Sequence, residues 1–385
     1  MNVQVGAAAA VLVVFAAGCV GTGEAVTPTS TTEPTPVTTL SPTGTTPPTT
    51  APKEPVGSTT TIAEDPWPGV HPDFDFEQNG LIAPQWDSEA YGTDEFALDL
   101  EELAATGAEW VTLIPTWYQA DVTTSEIQPE WQGRTATDAA LSAAIERSRD
   151  LALKVALKPH VDLSEGGPRA TIEPADTDAW FTSYTNFITH YAEFAEEADA
   201  DEFIVGTELA GTVEATSQWR QVIDEVRSVY SGPVLYAANW DEYQRVEFWD
   251  ALDAIGMNAY FPLADLPVTD VSTLMEAWEP IVEELAAWSK EQNRPVVFTE
   301  AGYTSQEGTV THPYEAWWTA ILSEEEQVAA YTALLTTFEG RPWFAGTHWW
   351  MWFDYEGDEF AKSMGHTPEG KPAEDVLREA WSATR

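Results

Sequence analysis

The chain is poor in cysteine, in lysine and in positive charge of any kind. Cys19 is the one cysteine among 385 residues, which excludes an intramolecular disulfide. Lys and Arg together number 17 against 64 Asp and Glu, a formal net charge of -47. Repulsion at every orientation therefore disfavours nucleic acid and anionic membrane surfaces as partners, whereas a neutral polysaccharide meets no such opposition. The lysines are only Lys53, Lys154, Lys158, Lys290, Lys362 and Lys371. So acidic and lysine-poor a composition suits high ionic strength, where self-repulsion is screened; compositional bias of the lineage is the alternative.

Other absences narrow the chemistry. The six histidines are scattered with no His-x-x-x-His pair, and no metal site is expected. The acidic run containing Asp354, Glu356, Asp358 and Glu359 reads as a solvated loop rather than a Ca²⁺ site. No Gly-x-Ser-x-Gly elbow is present for Ser/His/Asp catalysis, and no glycine-rich phosphate turn follows an early strand. No cofactor is expected. Nothing in the sequence repeats in the manner of a solenoid.

What is present begins with an apolar, small-residue run, Ala7–Gly18, of signal-segment length and too short to span a bilayer. The tetrapeptide Ala16-Ala17-Gly18-Cys19 resembles a bacterial lipobox, in which the cysteine is lipidated and becomes the mature N-terminus; plain signal cleavage and a chance apolar N-terminus are the alternatives. Residues 1–19 are thus expected to be a signal peptide, and Cys19 the anchor of a surface or extracellular protein. From Val20 to about Ala63 the chain is mostly Thr, Pro, Ser and Gly, too poor in apolar residues to offset its conformational entropy, and is expected to be a disordered tether.

Residues 64–385 alternate short apolar runs with longer helical patterns. Strands are expected at Gly80–Pro84, Trp110–Thr116, Val155–His160, Glu202–Glu208, Pro233–Asn239, Ala254–Tyr260, Pro295–Glu300 and Phe344–Trp352. Helices are expected over Thr93–Thr106, Asp138–Ala152, Trp180–Ala198, Ser217–Tyr230, Val271–Gln292, Ser323–Phe338 and Pro372–Trp381. This alternation predicts an α/β fold of the (β/α)₈ TIM-barrel type. A doubly wound open sheet is the main competitor.

Two of these strands end on a glutamate. Glu202-Phe-Ile-Val-Gly-Thr-Glu208 and Pro295-Val-Val-Phe-Thr-Glu300 each place a carboxylate where a barrel does its chemistry. In so acidic a chain a lone glutamate means little, but each of these follows an uncharged stretch with strand propensity. Two such carboxylates suit glycoside hydrolysis, one as acid/base and one as nucleophile. Aromatic residues gather at the same strand ends, among them Trp117, Tyr118, Trp240, Tyr260, Trp349, Trp350 and Trp352. Flat rings pack on sugar faces while His and Asn bond hydroxyls. Trp117, His160, Asn239, Tyr260, Trp350 and Trp352 are accordingly the candidate substrate-binding residues. Alternation along the last strand puts His348, Trp350 and Trp352 on one side and Trp349 and Met351 on the other, and the first set is expected to line the barrel mouth.

The set Leu157-Lys-Pro-His-Val-Asp-Leu163, Val205-Gly-Thr-Glu-Leu209, Tyr236-Ala-Ala-Asn-Trp240, Phe298-Thr-Glu-Ala-Gly-Tyr303 and Trp349-Trp-Met-Trp352 resembles glycoside hydrolase family 113. The likeness runs from about Gly80 to Trp381. It implies a retaining (β/α)₈ hydrolase with Glu208 as acid/base and Glu300 as nucleophile, and mannan, glucomannan or galactomannan as substrate. Gly80–Trp86 departs from the family, and Pro168 stands where a tryptophan is expected. The expectation is a double displacement without cofactor or metal, performed by a monomer. A hydrolase or transglycosylase acting on another β-glycan, and a sugar-binding lipoprotein without activity, are the alternatives.

Overall fold

The computed structural model describes residues 67–131, 133–316, 319–353 and 358–382. The Cys19 anchor, the signal segment and the Thr/Pro tether lie outside the described residues, as do Asp354 and Glu356.

Eight parallel strands close into a barrel: β1 Gln78–Pro84, β2 Trp110–Ile114, β3 Lys154–Leu157, β4 Glu202–Thr207, β5 Val234–Asn239, β6 Ala254–Asn258, β7 Val296–Ala301 and β8 Phe344–Trp349. Each pairs with its sequence neighbours, and β1 pairs with β8 to complete the ring. This is the TIM barrel that the alternating pattern predicts, and the open-sheet alternative falls away. Helices Asp94–Ala105, Asp138–Asp150, Thr177–Glu197, Thr216–Val229, Val271–Gln292, Glu324–Phe338 and Pro372–Ser382 alternate with the strands. The hydroxyls of Thr93 and Thr137 and the carboxylate of Asp176 cap their helices by accepting a backbone N–H of the first turn.

Strand alternation sorts the core into two layers. Leu113, Val155, Phe203, Tyr236, Phe298 and Trp349 point outward and pack under the helices, with Trp219 and Trp278 from the helical layer. Trp110, Ala156, Ile204, Leu235, Val297 and Ala345 point inward and, with Phe74, fill one part of the barrel interior.

Two expected strands prove shorter and break into two. Trp110–Thr116 ends at Ile114, and Thr116–Gln119 forms a separate strand; likewise β3 stops at Leu157 and His160–Leu163 begins anew beyond Pro159. The proline explains the second break, since it offers no N–H to a ladder. These two short strands pair in parallel with each other, and Ile127–Gln128 adds an antiparallel edge, building a small wall beyond the C-terminal ends of β2 and β3.

Candidate active site

Glu208 follows β4 directly and adopts a left-handed backbone, φ 55°, which a non-glycine residue takes at a cost of about 1–2 kcal/mol. The surroundings enforce that turn. The Glu208 N–H donates to Ala237 O at 2.8 Å, and the next N–H, of Leu209, donates to the Tyr236 hydroxyl at 3.1 Å. Tyr236 is itself fixed by donating to the buried Glu242 carboxylate at 2.8 Å. Gly206 makes room for this arrangement: a Cβ there would come within 2.8 Å of the Tyr236 ring and 2.9 Å of Trp219. A register shift between Ile204 and Thr207 accompanies the turn.

Glu300 is placed by a similar device. Alternation from the inward-facing Val297 and Thr299 would send Glu300 outward, but the register shifts after Phe298 against both neighbouring strands, and such irregularities re-aim side chains. Its carboxylate accepts from two side chains. Lys158 Nζ donates to Oε1 at 2.6 Å and the Tyr260 hydroxyl to Oε2 at 2.7 Å.

Asn258, at the end of β6, joins the two carboxylates. Its Oδ1 accepts from Lys158 Nζ at 3.1 Å and Thr299 Oγ1 at 3.0 Å, and its Nδ2 donates to Glu208 Oε1 at 2.9 Å. Because an ammonium only donates, the amide orientation is settled. The other oxygen of Glu208 accepts from Arg169 Nη1 at 3.0 Å, and Arg169 also grips Asp162 through Nη2 at 2.6 Å. Glu208 and Glu300 are 5% and 4% exposed, low enough that their charges interact strongly.

The electrostatics follow from burial. Burial first, then the Glu300 charge, raises the Glu208 carboxyl above its ordinary range, against the lowering pull of Arg169, Asn258 and Lys158. Burial lowers Lys158, with Glu300 opposing. His160 is held neutral, well below the usual imidazole range, by burial and by Arg169 and Lys158. Tyr260 is pushed up by burial and by Glu300, so it stays a donor.

The substrate-binding candidates divide. Tyr260 touches Glu300 directly. His160 is buried beside Lys158 and Arg169, with its Nε2 unpartnered among the described residues. Asn239 ends β5 in register with Asn258, its backbone N–H on Glu242 and its side chain half-buried. Trp350 is half-buried past β8, its N–H on Ala301 O at 2.8 Å, with a cis peptide bond to Met351. Trp352 lies within the outer apolar core at 3% exposure, leaving little ring for a ligand. Of the set placed at the mouth by alternation, His348 points into the barrel interior, between Thr112 and Gln78. Trp117 faces away: its indole N–H donates to Tyr191 at 3.0 Å, and its ring packs on Phe187 and His190 of the Thr177–Glu197 helix. Alternation in the Thr116–Gln119 strand puts Tyr118 on the opposite face, that of its register partner Asp162.

Lys158, Asn258, Arg169 and Asp162 were not singled out by sequence. Lys158 had a signal: it is a cation in a lysine-poor chain, directly after the apolar Val155-Ala-Leu. Asn258 ends an apolar run much as Glu208 does. Asp162 falls inside the Leu157–Leu163 stretch that carries the family resemblance, but neither it nor Arg169 has a local pattern of its own that distinguishes it from a solvated loop charge. Among the described residues, no group of three or more His, Cys, Asp or Glu side chains could hold a metal ion.

The sequence model of Glycoside Hydrolase Family 113 matches residues 84–371. Among solved structures, the GH113 beta-mannanase AaManA from Alicyclobacillus acidocaldarius, in complex with ManMIm, is 28% identical with a TM-score of 0.73, over 81% of this chain and 100% of that one. A complex of a GH113 beta-1,4-mannanase is likewise 28% identical, TM-score 0.70, over 80% of this chain and 99% of that one. A beta-glucuronidase from Ruminococcus gnavus, 15% identical with a TM-score of 0.53 over 79% of this chain and 49% of that one, shares the fold alone. No curated protein matches.

Proposed function

This chain belongs to glycoside hydrolase family 113, and from that premise we propose that it hydrolyses β-1,4-linked mannan-type polysaccharide with retention of anomeric configuration. The observation that carries the reading is the joint placement of Glu208 and Glu300 at the ends of β4 and β7, linked through Asn258 and Lys158. The mannan specificity rests on the beta-mannanase relatives.

The residues divide the work as follows. Glu300, oriented by Lys158 and Tyr260, attacks the anomeric carbon. Its charge and burial favour a proton on Glu208, which passes that proton to the departing glycosidic oxygen. In the second half a water gives its proton to Glu208 as its oxygen bonds to the anomeric carbon and the bond to Glu300 breaks. His160 and Asn239 offer hydrogen bonds to hydroxyls of the bound sugar, and Trp350 an aromatic face.

The test is reducing-end release from β-1,4-mannan, glucomannan and galactomannan beside xylan and β-glucan controls. Preferential release from the mannans supports the reading. Hydrolysis confined to another β-glycan removes the mannan assignment, and glycan binding without release removes the enzyme.

For location we propose a lipid anchor at Cys19, carried by the lipobox resemblance and the Thr/Pro-rich segment after it. Diacylglyceryl mass on Cys19 after bacterial expression, lost in Cys19→Ser, is the expected result. An unmodified, freely secreted protein contradicts it.

A further inference from the structure

Glu208 is held in a way that a general acid should not be. Asn258 Nδ2 donates to one oxygen and Arg169 Nη1 to the other, at 2.9 and 3.0 Å. Neither partner atom can accept a proton, so a protonated Glu208 has no acceptor in this arrangement. The geometry is that of a carboxylate, which is what the second half of a double displacement requires. Asn258 is locked by Lys158 and Thr299, whereas Arg169 has anchors other than Glu208, among them the Val161 carbonyl, which accepts from its Nε at 3.3 Å. Its guanidinium is shared with Asp162, through Nε at 3.2 Å and Nη2 at 2.6 Å, and it follows the left-handed pair Gly166 and Gly167.

Resting on the hydrolase reading above, we propose that Arg169 is the positioning residue that commits Glu208 to its base role: it yields toward Asp162 when a leaving group arrives and returns to hold the carboxylate once the glycosyl-enzyme has formed. The charges around Glu208 support such a cycle. Facing it are Glu300 from β7, Lys158 beyond β3 and Arg169 from the short Arg169–Thr171 turn, with Asp162 and His160 beside Arg169, Tyr260 beyond β6 and Glu242 beyond β5. When Glu300 becomes an ester its charge disappears, and with it the main charge that favours a proton on Glu208. The guanidinium remains and holds Glu208, whose proton has left with the departing oxygen, as the carboxylate that accepts one from the attacking water. Without Arg169, burial favours reprotonation of Glu208 against only the weaker pull of Asn258 and Lys158.

The direct test follows the Glu208 carboxyl by ¹³C NMR in Glu300→Gln, a neutral stand-in for the esterified nucleophile, with Arg169 present and as Arg169→Gln. Loss of the guanidinium should raise the Glu208 midpoint by about one to three pH units. Arg169→Lys, which keeps the charge, should fall between. Coincident midpoints in all three proteins overturn the proposal, whether or not the wild type cleaves mannan. A failure of the functional reading is distinguished separately, by absence of turnover in the wild type. In an active protein, Arg169→Gln should release dinitrophenol from 2,4-dinitrophenyl β-mannobioside in a burst and then turn over at least tenfold more slowly than wild type, with the acid limb of kcat displaced upward. Equal loss of both phases with an unmoved pH profile marks a merely structural role and overturns the proposal.

Discussion

Lys158 and Glu300 form an ion pair inside the barrel, Nζ lying 2.6 Å from Oε1 with the side chains 0% and 6% exposed. A pair this buried cannot be justified as a surface salt bridge, because taking two charges out of water costs more than an isolated contact returns unless other hydrogen bonds complete it. Here they do. Asn258 and the Thr299 carbonyl take the remaining Lys158 protons, and Tyr260 takes the second Glu300 oxygen.

Replacing Lys158 by Met therefore leaves a buried carboxylate without its cation. Unfolding by denaturant should show a loss of about 3–5 kcal/mol. Activity should fall as well, because Glu300 loses the donor that orients its Oε1. Unchanged stability and turnover would contradict this role.

How much of this was legible beforehand depends on the physics behind each residue. The Val271–Gln292 helix was readable to the residue because its apolar spacing and its Asp270 cap are local features. Glu208 and Glu300 were readable because each interrupts an apolar strand. Their aim was not: simple alternation from Val297 turns Glu300 outward, and only the register shift beside Phe298 corrects it. Trp117 misled for a related reason. The strand that carries it is a separate piece whose faces are set by pairing with His160–Leu163, so Tyr118, one residue on, faces Asp162. Lys158, Asn258 and Arg169 acquire meaning only through partners about 40 to 140 positions away, which no local pattern encodes.

Deeper in the barrel a directional chain runs from Thr112 through His348 and Gln78 to Glu202. Thr112 Oγ1 lies 2.6 Å from His348 Nδ1, His348 Nε2 lies 2.9 Å from Gln78 Oε1, and Gln78 Nε2 donates to Glu202 Oε2 at 2.9 Å. Burial raises Glu202 to about 8. An acid whose folded value exceeds its unfolded one stabilises the fold below the unfolded value, about 4.3, and loses that contribution as pH rises through the folded one. Wild-type Tm should therefore fall between about pH 5 and 8 more steeply than that of Glu202→Gln, which keeps the bond from Gln78 without a charge to bury. Parallel Tm curves would contradict a buried, neutral Glu202.

Gly206→Ala tests the turn that aims Glu208. The added methyl meets the Tyr236 and Trp219 rings, whose packing it must displace. A loss of about 1–3 kcal/mol is expected from such overpacking. Because Tyr236 also holds the Leu209 N–H, kcat should drop in the protein that still folds. A fully active, fully stable variant would show that this contact does not position the site.

The central claim is that Glu300 forms the covalent bond to sugar and Glu208 does not. Incubation with a 2,4-dinitrophenyl 2-deoxy-2-fluoro-β-mannoside, followed by peptide mass spectrometry, reads this directly, since the fluorine slows the second step and lets the glycosyl-enzyme accumulate. The account predicts one fluoromannosyl group on the peptide containing Glu300 and none on Glu300→Gln. Label on Glu208 would contradict it, as would unlabelled protein that nonetheless turns over the unfluorinated substrate.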